Sequence, residues 1–186
     1  QQVGNDAAGR RVAAARIVAR VASHAPGGEW LDVGTGNGAL LFTAAEWGYG
    51  VVGTDLRIDN VEMLLRLGYK AVWNDIADIE GAGRFNVISM AGSLPQAAFP
   101  RRSLAAAHRL LRPGGALFVS MPNMDTIVWR ILDASGANSH WGDIEHCHVF
   151  TRARLAKLLE AEGFRVVAYD IGEDGPTTME MIAVKR

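Results

Sequence analysis

The chain of 186 residues has a single cysteine, Cys147, so no intrachain disulfide can form, which is the usage of a reducing, cytoplasmic compartment. No uninterrupted apolar run approaches the length of a membrane span, and nothing in the sequence suggests a membrane partner. Net charge is also nearly absent. Nineteen basic residues against twenty acidic ones leave −1, which offers no global attraction to a polyanion. The arginines that do cluster, Arg10, Arg11, Arg16 and Arg20, read as the solvated face of a first helix, and no nucleic-acid partner is expected. Internal repeats and low-complexity linkers are missing too. The chain opens on Gln1 without a signal-peptide pattern, which fits an excised or processed piece of a longer protein. What remains, 49% hydrophobic and 21% charged residues, is the composition of a globular protein, and the length fits one domain over residues 1–186.

Hydrophobic patterning divides that domain. Residues from about Ala8 to Ser23 carry Val12, Ala15, Ala19 and Ala22 at helical spacing, and Ala25-Pro-Gly-Gly28 ends the helix, making 1–28 a helix and lead-in. Strands then alternate with helices: Trp30 to Val33, Val51 to Asp55, Ala71 to Trp73, Asn86 to Met90 and Ala116 to Ser120. Such alternation predicts right-handed crossovers and a parallel sheet. Phe164 to Asp170 and Met179 to Val184 break the pattern, because the link between them is too short for a crossover helix, so they should pair antiparallel. The expected fold class is α/β, Rossmann-like and doubly wound, with a mostly parallel seven-stranded sheet ending in an antiparallel C-terminal hairpin.

The densest chemical signal is Trp30-Leu-Asp-Val-Gly-Thr-Gly-Asn-Gly-Ala-Leu-Leu41. A buried strand that turns tightly into a helix aims backbone N–H groups at one spot, and glycine admits a ligand close to that backbone. Gly34 and Gly36 are the candidate cradle. Asp55, at the end of the next strand, lies across the same crevice, where it can accept hydrogen bonds from a ribose diol, with Leu56 as an apolar surface for adenine. Two cofactors compete, since Gly34, Gly36 and Ala39 also satisfy a loose dinucleotide pattern. Asp32 favours S-adenosylmethionine: a carboxylate at the strand end repels a pyrophosphate and suits the ammonium of an amino-acid ligand.

With these residues the chain resembles the class I S-adenosylmethionine-dependent methyltransferases. Leu31-Asp-Val-Gly-Thr-Gly-Asn-Gly38 is similar to their first motif, Asp55 to the ribose-binding acid, and Asn74-Asp75-Ile76 to the segment that meets adenine. Phe85-Asn-Val-Ile-Ser-Met90 resembles their fourth strand, and Leu110 to Ser120 the helix end, turn and fifth strand. The resemblance implies S-adenosylmethionine as cofactor, S-adenosylhomocysteine as product, and a small-molecule or glycan acceptor methylated at oxygen. Nicotinamide-dependent oxidoreduction and a non-catalytic S-adenosylmethionine-binding module are the alternatives.

Methyl donor and acceptor should meet beyond Met90. Relatives often carry an Asp-x-Leu-Glu-His arrangement there, whereas this chain has Gly92-Ser-Leu-Pro-Gln96. Ser93 and Gln96 can orient a substrate, but neither takes a proton near neutral pH. The other polar concentration is His140-Trp-Gly-Asp-Ile-Glu-His-Cys-His148, within an acceptor-side segment spanning 121–150. His146 and His148 are the candidate catalytic bases, with a structural role before the next helix as the competing account, and His140 is a candidate on the substrate side. A His-x-His pair with Asp143 or Glu145 has some zinc-ligand character, but no second fixed pair accompanies it, and no metal is expected. Thr151 should cap the helix bearing Leu155, Leu158 and Leu159. Trp129 and Trp141 bracket a Ser135 to Ser139 loop, either closing over an acceptor or packing as core aromatics.

Overall fold

The computed structural model describes residues 8–142, 147–173 and 175–186. In chain order the helices are α1 (Ala8–Ala22), α2 (Ala39–Glu46), α3 (Ile58–Arg66), α4 (Pro100–Leu110), α5 (Ile127–Ala134) and α6 (Arg152–Ala161). The strands are β1 (Glu29–Val33), β2 (Gly50–Asp55), β3 (Lys70–Trp73), β4 (Phe85–Ala91), β5 (Leu111–Pro122), β6 (Phe164–Ile171) and β7 (Thr178–Lys185). They form one sheet in the order β3-β2-β1-β4-β5-β7-β6. Neighbours from β3 to β5 are parallel, and β7 runs antiparallel to both β5 and β6. The strand order reverses at β1 and β4, whose ends therefore open a crevice, the place where such sheets bind ligands.

Both faces of the sheet are covered, which is why the central strands read as continuous apolar runs rather than alternating ones. On one face Leu31, Ile88, Leu117 and Val119 pack with Leu104 and Leu110 of α4 and Leu155 and Leu159 of α6. On the other, Trp30, Val87 and Phe118 meet Val18 and Val21 of α1 and Leu40 and Ala44 of α2. Thr151 accepts the Arg154 N–H at 3.2 Å, so α6 starts at the expected cap. The Arg-Pro-Gly-Gly sequence expected as a turn is instead looped out within β5, where pairing shifts from Phe85–Leu111 to Val87–Ala116.

α1 corrects the sequence reading in two ways. Its buried stripe is Ala14, Val18 and Val21, not Val12, Ala15, Ala19 and Ala22; Val12 is 50% exposed. The stripe one position round the helix wins because it puts two valines, rather than mostly alanines, out of water. Nor is the arginine cluster simply solvated. Arg11 pairs with Glu46 at 2.8 Å and Arg16 with Glu173 at 3.2 Å, while Arg20 bridges Asp170 at 2.7 Å and the buried Glu180. No helix of the described residues is long and apolar enough to cross a membrane.

Candidate functional site

The crevice is built at the carboxyl ends of β1, β2 and β4. As β1 leaves the sheet, the Gly34 N–H donates to the Thr54 carbonyl at 2.8 Å, and both Gly34 (φ 73°) and Gly36 (φ 52°) take left-handed conformations that side-chain-bearing residues resist. A Cβ on Gly34 would lie 2.7 Å from the Ser93 Cβ, so glycine is what lets the loops after β1 and β4 close on each other. A Cβ on Gly36 would meet nothing within 4 Å, and this residue lines the crevice.

Asp55 holds this loop in shape. One carboxylate oxygen, Oδ2, accepts from the Gly36 N–H at 3.1 Å, the Asn60 amide at 3.0 Å and the Thr35 hydroxyl at 3.4 Å, and Oδ1 accepts from the Arg57 N–H at 2.8 Å. Oδ1 thus carries one donor and retains capacity for another. Sequence reasoning missed Asn60, a buried amide in the first turn of α3, five residues beyond Asp55.

Two lobes share Gly34, Asp55, Arg57, Ser93 and Gln96. The first, about 330 Å³, is walled by Leu56, Asp75, Ile76 and Met90. Asp75 Oδ1 accepts the Ala77 N–H at 2.7 Å, capping the short 3₁₀ turn Ile76–Asp78. The second lobe, about 450 Å³, is walled by Ala91, Gly92, Ser120, Met121, Pro122, His140, Thr177 and Thr178. Ser93 stands between them with its hydroxyl buried and unpartnered.

Two expected site residues are elsewhere. Asp32 does not line either lobe; it is 3% exposed beneath the glycine loop, where Ser89, itself holding the Trp30 indole N–H, donates to it at 2.5 Å. Burial raises its pKa from 3.8 to about 6 against the lowering effect of the Ser89 bond, with the Asp55 charge adding to the rise. The carboxylate therefore cannot grip a ligand's ammonium directly, and its β1 position explains why: it shares the sheet face of Trp30, which α1 and α2 cover. His148 is likewise off the crevice. Its N–H donates to the Pro95 carbonyl at 3.1 Å, tying the segment before α6 to the loop after β4.

His146 lies outside the described residues, as do Asp143 and Glu145. The described histidine that does reach the crevice is His140, stacked on the buried Trp129 with Nε2 3.2 Å from the Thr177 hydroxyl. Trp129 is thus a core aromatic and Trp141, 57% exposed, is not. Among the described residues no group of three or more His, Cys, Asp or Glu side chains comes together as a metal site. Thr177 and Thr178 left no sequence signal, since only the β6–β7 hairpin brings them here; Asn123 at the end of β5 anchors that turn by donating its N–H to the Thr177 carbonyl at 2.8 Å.

Known proteins with related sequence and structure agree with this architecture. The ubiquinone biosynthesis O-methyltransferase of Pseudomonas paraeruginosa is 31% identical over 101 residues, covering 50% of this chain and 44% of that protein. The chain spans about half the length of these curated relatives. The structure of Burkholderia thailandensis 1,6-didemethyltoxoflavin-N1-methyltransferase superimposes with a TM-score of 0.73 at 24% identity, over 97% of this chain and 79% of that one. Magnesium protoporphyrin IX methyltransferase from Synechocystis gives 0.74 at 18% identity, over 96% and 84%. A family model described as a methyltransferase domain matches residues 7–169. An antiparallel β7 where a dinucleotide-binding half would continue in parallel, and a family match over most of the chain, leave the nicotinamide alternative without support; the chain belongs to the class I S-adenosylmethionine-dependent methyltransferases.

Proposed function

We propose that this domain transfers a methyl group from S-adenosylmethionine to a hydroxyl oxygen of a small-molecule or glycan acceptor, as one domain in the reducing setting that its lone, exposed Cys147 suits. The observation that carries the reading is the glycine loop held by Asp55 at the junction of two lobes, with open space before Gly36 and a buried hydroxyl, Ser93, facing it. The O-methyltransferase relative favours oxygen, although N1 is the atom named for the Burkholderia protein.

When bound, the cofactor supplies a methyl group on a sulfonium sulfur, already a good electrophile. The chain's own task is then to position and to exclude water, and proximity of that kind contributes several kcal/mol, roughly 7 to 11 in favourable cases. Asp55 would hold the ribose through its carboxylate, Asp75 would accept from the adenine amine, and Leu56, Ile76 and Met90 would supply apolar walls around the adenine. Gly34 and Gly36 admit the backbone's close approach, and Asp32 acts from behind the loop. Ser93 and Gln96 orient the acceptor from the loop after β4. With His148 off the crevice, the proton of an acceptor hydroxyl falls to His146 or to His140, a transfer worth roughly 10²- to 10⁴-fold in rate.

Calorimetry with S-adenosylmethionine and S-adenosylhomocysteine, followed by turnover on a panel of phenols, catechols and sugars, tests this reading. Binding of both cofactor forms with methyl transfer to a hydroxyl is expected. Binding without transfer to any acceptor favours a non-catalytic binding module, which the absence of acid and imidazole between Gly92 and Gln96 supports. Failure to bind either cofactor form overturns both.

A further inference from the structure

We infer that helix α1 sets the acceptor side of the crevice from behind: Arg20, acting through the buried carboxylate of Glu180, is a positioning residue for the turn 172–177, whose last residue, Thr177, lines the second lobe. That this lobe receives the acceptor rests on the methyl-transfer reading above. Neither Arg20 nor Glu180 lines either lobe. Glu180 stands two residues before Ile182 on β7, so strand alternation gives it the face of the sheet that Val18 and Val21 of α1 cover. There it is 3% exposed. A charge in an apolar layer is costly unless it is paired and hydrogen-bonded, and the two carboxylate oxygens meet both conditions. Oε2 pairs with the Arg20 guanidinium, and Oε1 accepts the Glu173 N–H at 2.9 Å.

Two further ion pairs join the helix to the hairpin. Arg20 also reaches Asp170, near the end of β6, at 2.7 Å, and Arg16, one turn earlier on α1, reaches the Glu173 side chain at 3.2 Å. The far end of the same turn is held from β5, where the Asn123 N–H donates to the Thr177 carbonyl at 2.8 Å, and its base is closed by the Gly172 N–H on the Thr178 carbonyl at 3.0 Å. The turn is thus fixed at its start by α1 and at its end by β5. Apolar side chains of similar volume in place of a buried ion pair are often neutral or stabilising, so stability alone does not account for Glu180. A leucine there would fill the layer, but it would leave the Glu173 N–H without its acceptor and the turn without this tie to α1. The Arg16 pair, open to solvent, adds little by itself. The chain of contacts therefore runs from Arg20 through Glu180 to the turn and to Thr177.

Two variants separate position from stability. In Arg20→Met/Glu180→Leu apolar side chains fill the layer under α1, so the melting temperature should match or exceed that of wild type, while the Glu173 amide, followed by hydrogen exchange in the full chain, exchanges at least tenfold faster. Affinity for S-adenosylhomocysteine should stay within twofold, and the acceptor of the panel above that turns over fastest should show a KM at least fivefold higher. Arg20→Met alone should give the same exchange and KM changes with a lower melting temperature, because it leaves the Glu180 charge buried and unpaired. Protection of the Glu173 amide that survives in either variant, or its loss with an unchanged acceptor KM, overturns the inference. So does a double variant whose cofactor affinity falls in step with its acceptor affinity, the mark of a merely structural pair. Should Arg20→Met fail to fold, the double variant decides. Wild-type protein that binds neither cofactor form, or methylates nothing in the panel, counts against the methyl-transfer reading instead; the exchange of Glu173 decides the clamp in either case.

Discussion

The two lobes of the crevice share five residues and differ in what else lines them. The first draws on short segments that follow successive strands, so Gly34, Asp55, Asp75 and Met90 arrive with the order of the sheet itself. The second adds to Gly36, Ala91 and Gly92 the end of β5, a turn beyond α5 and the tip of the β6–β7 hairpin, pieces that long-range packing brings together. The lesson is that a site made from strand ends is specified by local pattern, whereas one made from connections is specified by the finished fold.

The difference can be broken most sharply at Gly36. Gly36→Val places a β-branched side chain at φ 52° in the open part of the crevice, and binding of S-adenosylhomocysteine should become undetectable by calorimetry while the fold persists. Retained affinity in a folded variant would mean that the loop is not the cradle.

Asp32 gives the next largest effect, and on stability rather than binding. With its pKa raised from 3.8 to about 6, the folded chain holds a proton that the unfolded chain releases between those values. This group's contribution therefore falls as pH rises from about 4 to 6, by about 3 kcal/mol in all. Asp32→Asn keeps an acceptor for Ser89 but cannot ionise. Its melting temperature should exceed that of wild type above pH 6 and converge with it near pH 4; parallel curves would mean that Asp32 does not titrate in this way.

Asp55→Ala removes the acceptor shared by Gly36, Asn60 and Arg57. Cofactor affinity should drop by about 1 to 3 kcal/mol, the cost of a lost bond to a charged acceptor, together with a lower melting temperature. Unchanged calorimetric affinity would separate the loop clamp from the ribose site. The smallest effect sharpens the acceptor side: His148 touches the Pro95 carbonyl through its backbone alone, so His148→Gln should leave turnover within about twofold of wild type in a methyl-release assay. A steep loss would return His148 to the catalytic role its sequence position suggests.

These outcomes trace what could be read from the chain. The strand sequence, the antiparallel hairpin and the Thr151 cap follow from periodicity and short-range chemistry, and the structure has them. Asp32 went astray because strand alternation turns it towards α1 and α2, a fact of sheet face that motif spacing does not carry. The stripe on α1 was displaced because alanine is ambiguous on a helix face until its neighbours are known. Thr177 was invisible for a different reason: more than thirty residues separate it from His140, and only the pairing of β7 between β5 and β6 closes that gap.

That pairing has an evolutionary consequence. β7 is clamped on both sides along its length, while the six-residue connection 172–177 that precedes it ends at the second lobe, which Thr177 lines. Loop-closure entropy grows only slowly with length, by about 0.6 kcal/mol per doubling, so insertions in this connection would cost the scaffold little. On the proposed reading, lengthening this one hairpin tip would vary the acceptor side of the crevice while leaving Asp55 and Asp75 untouched.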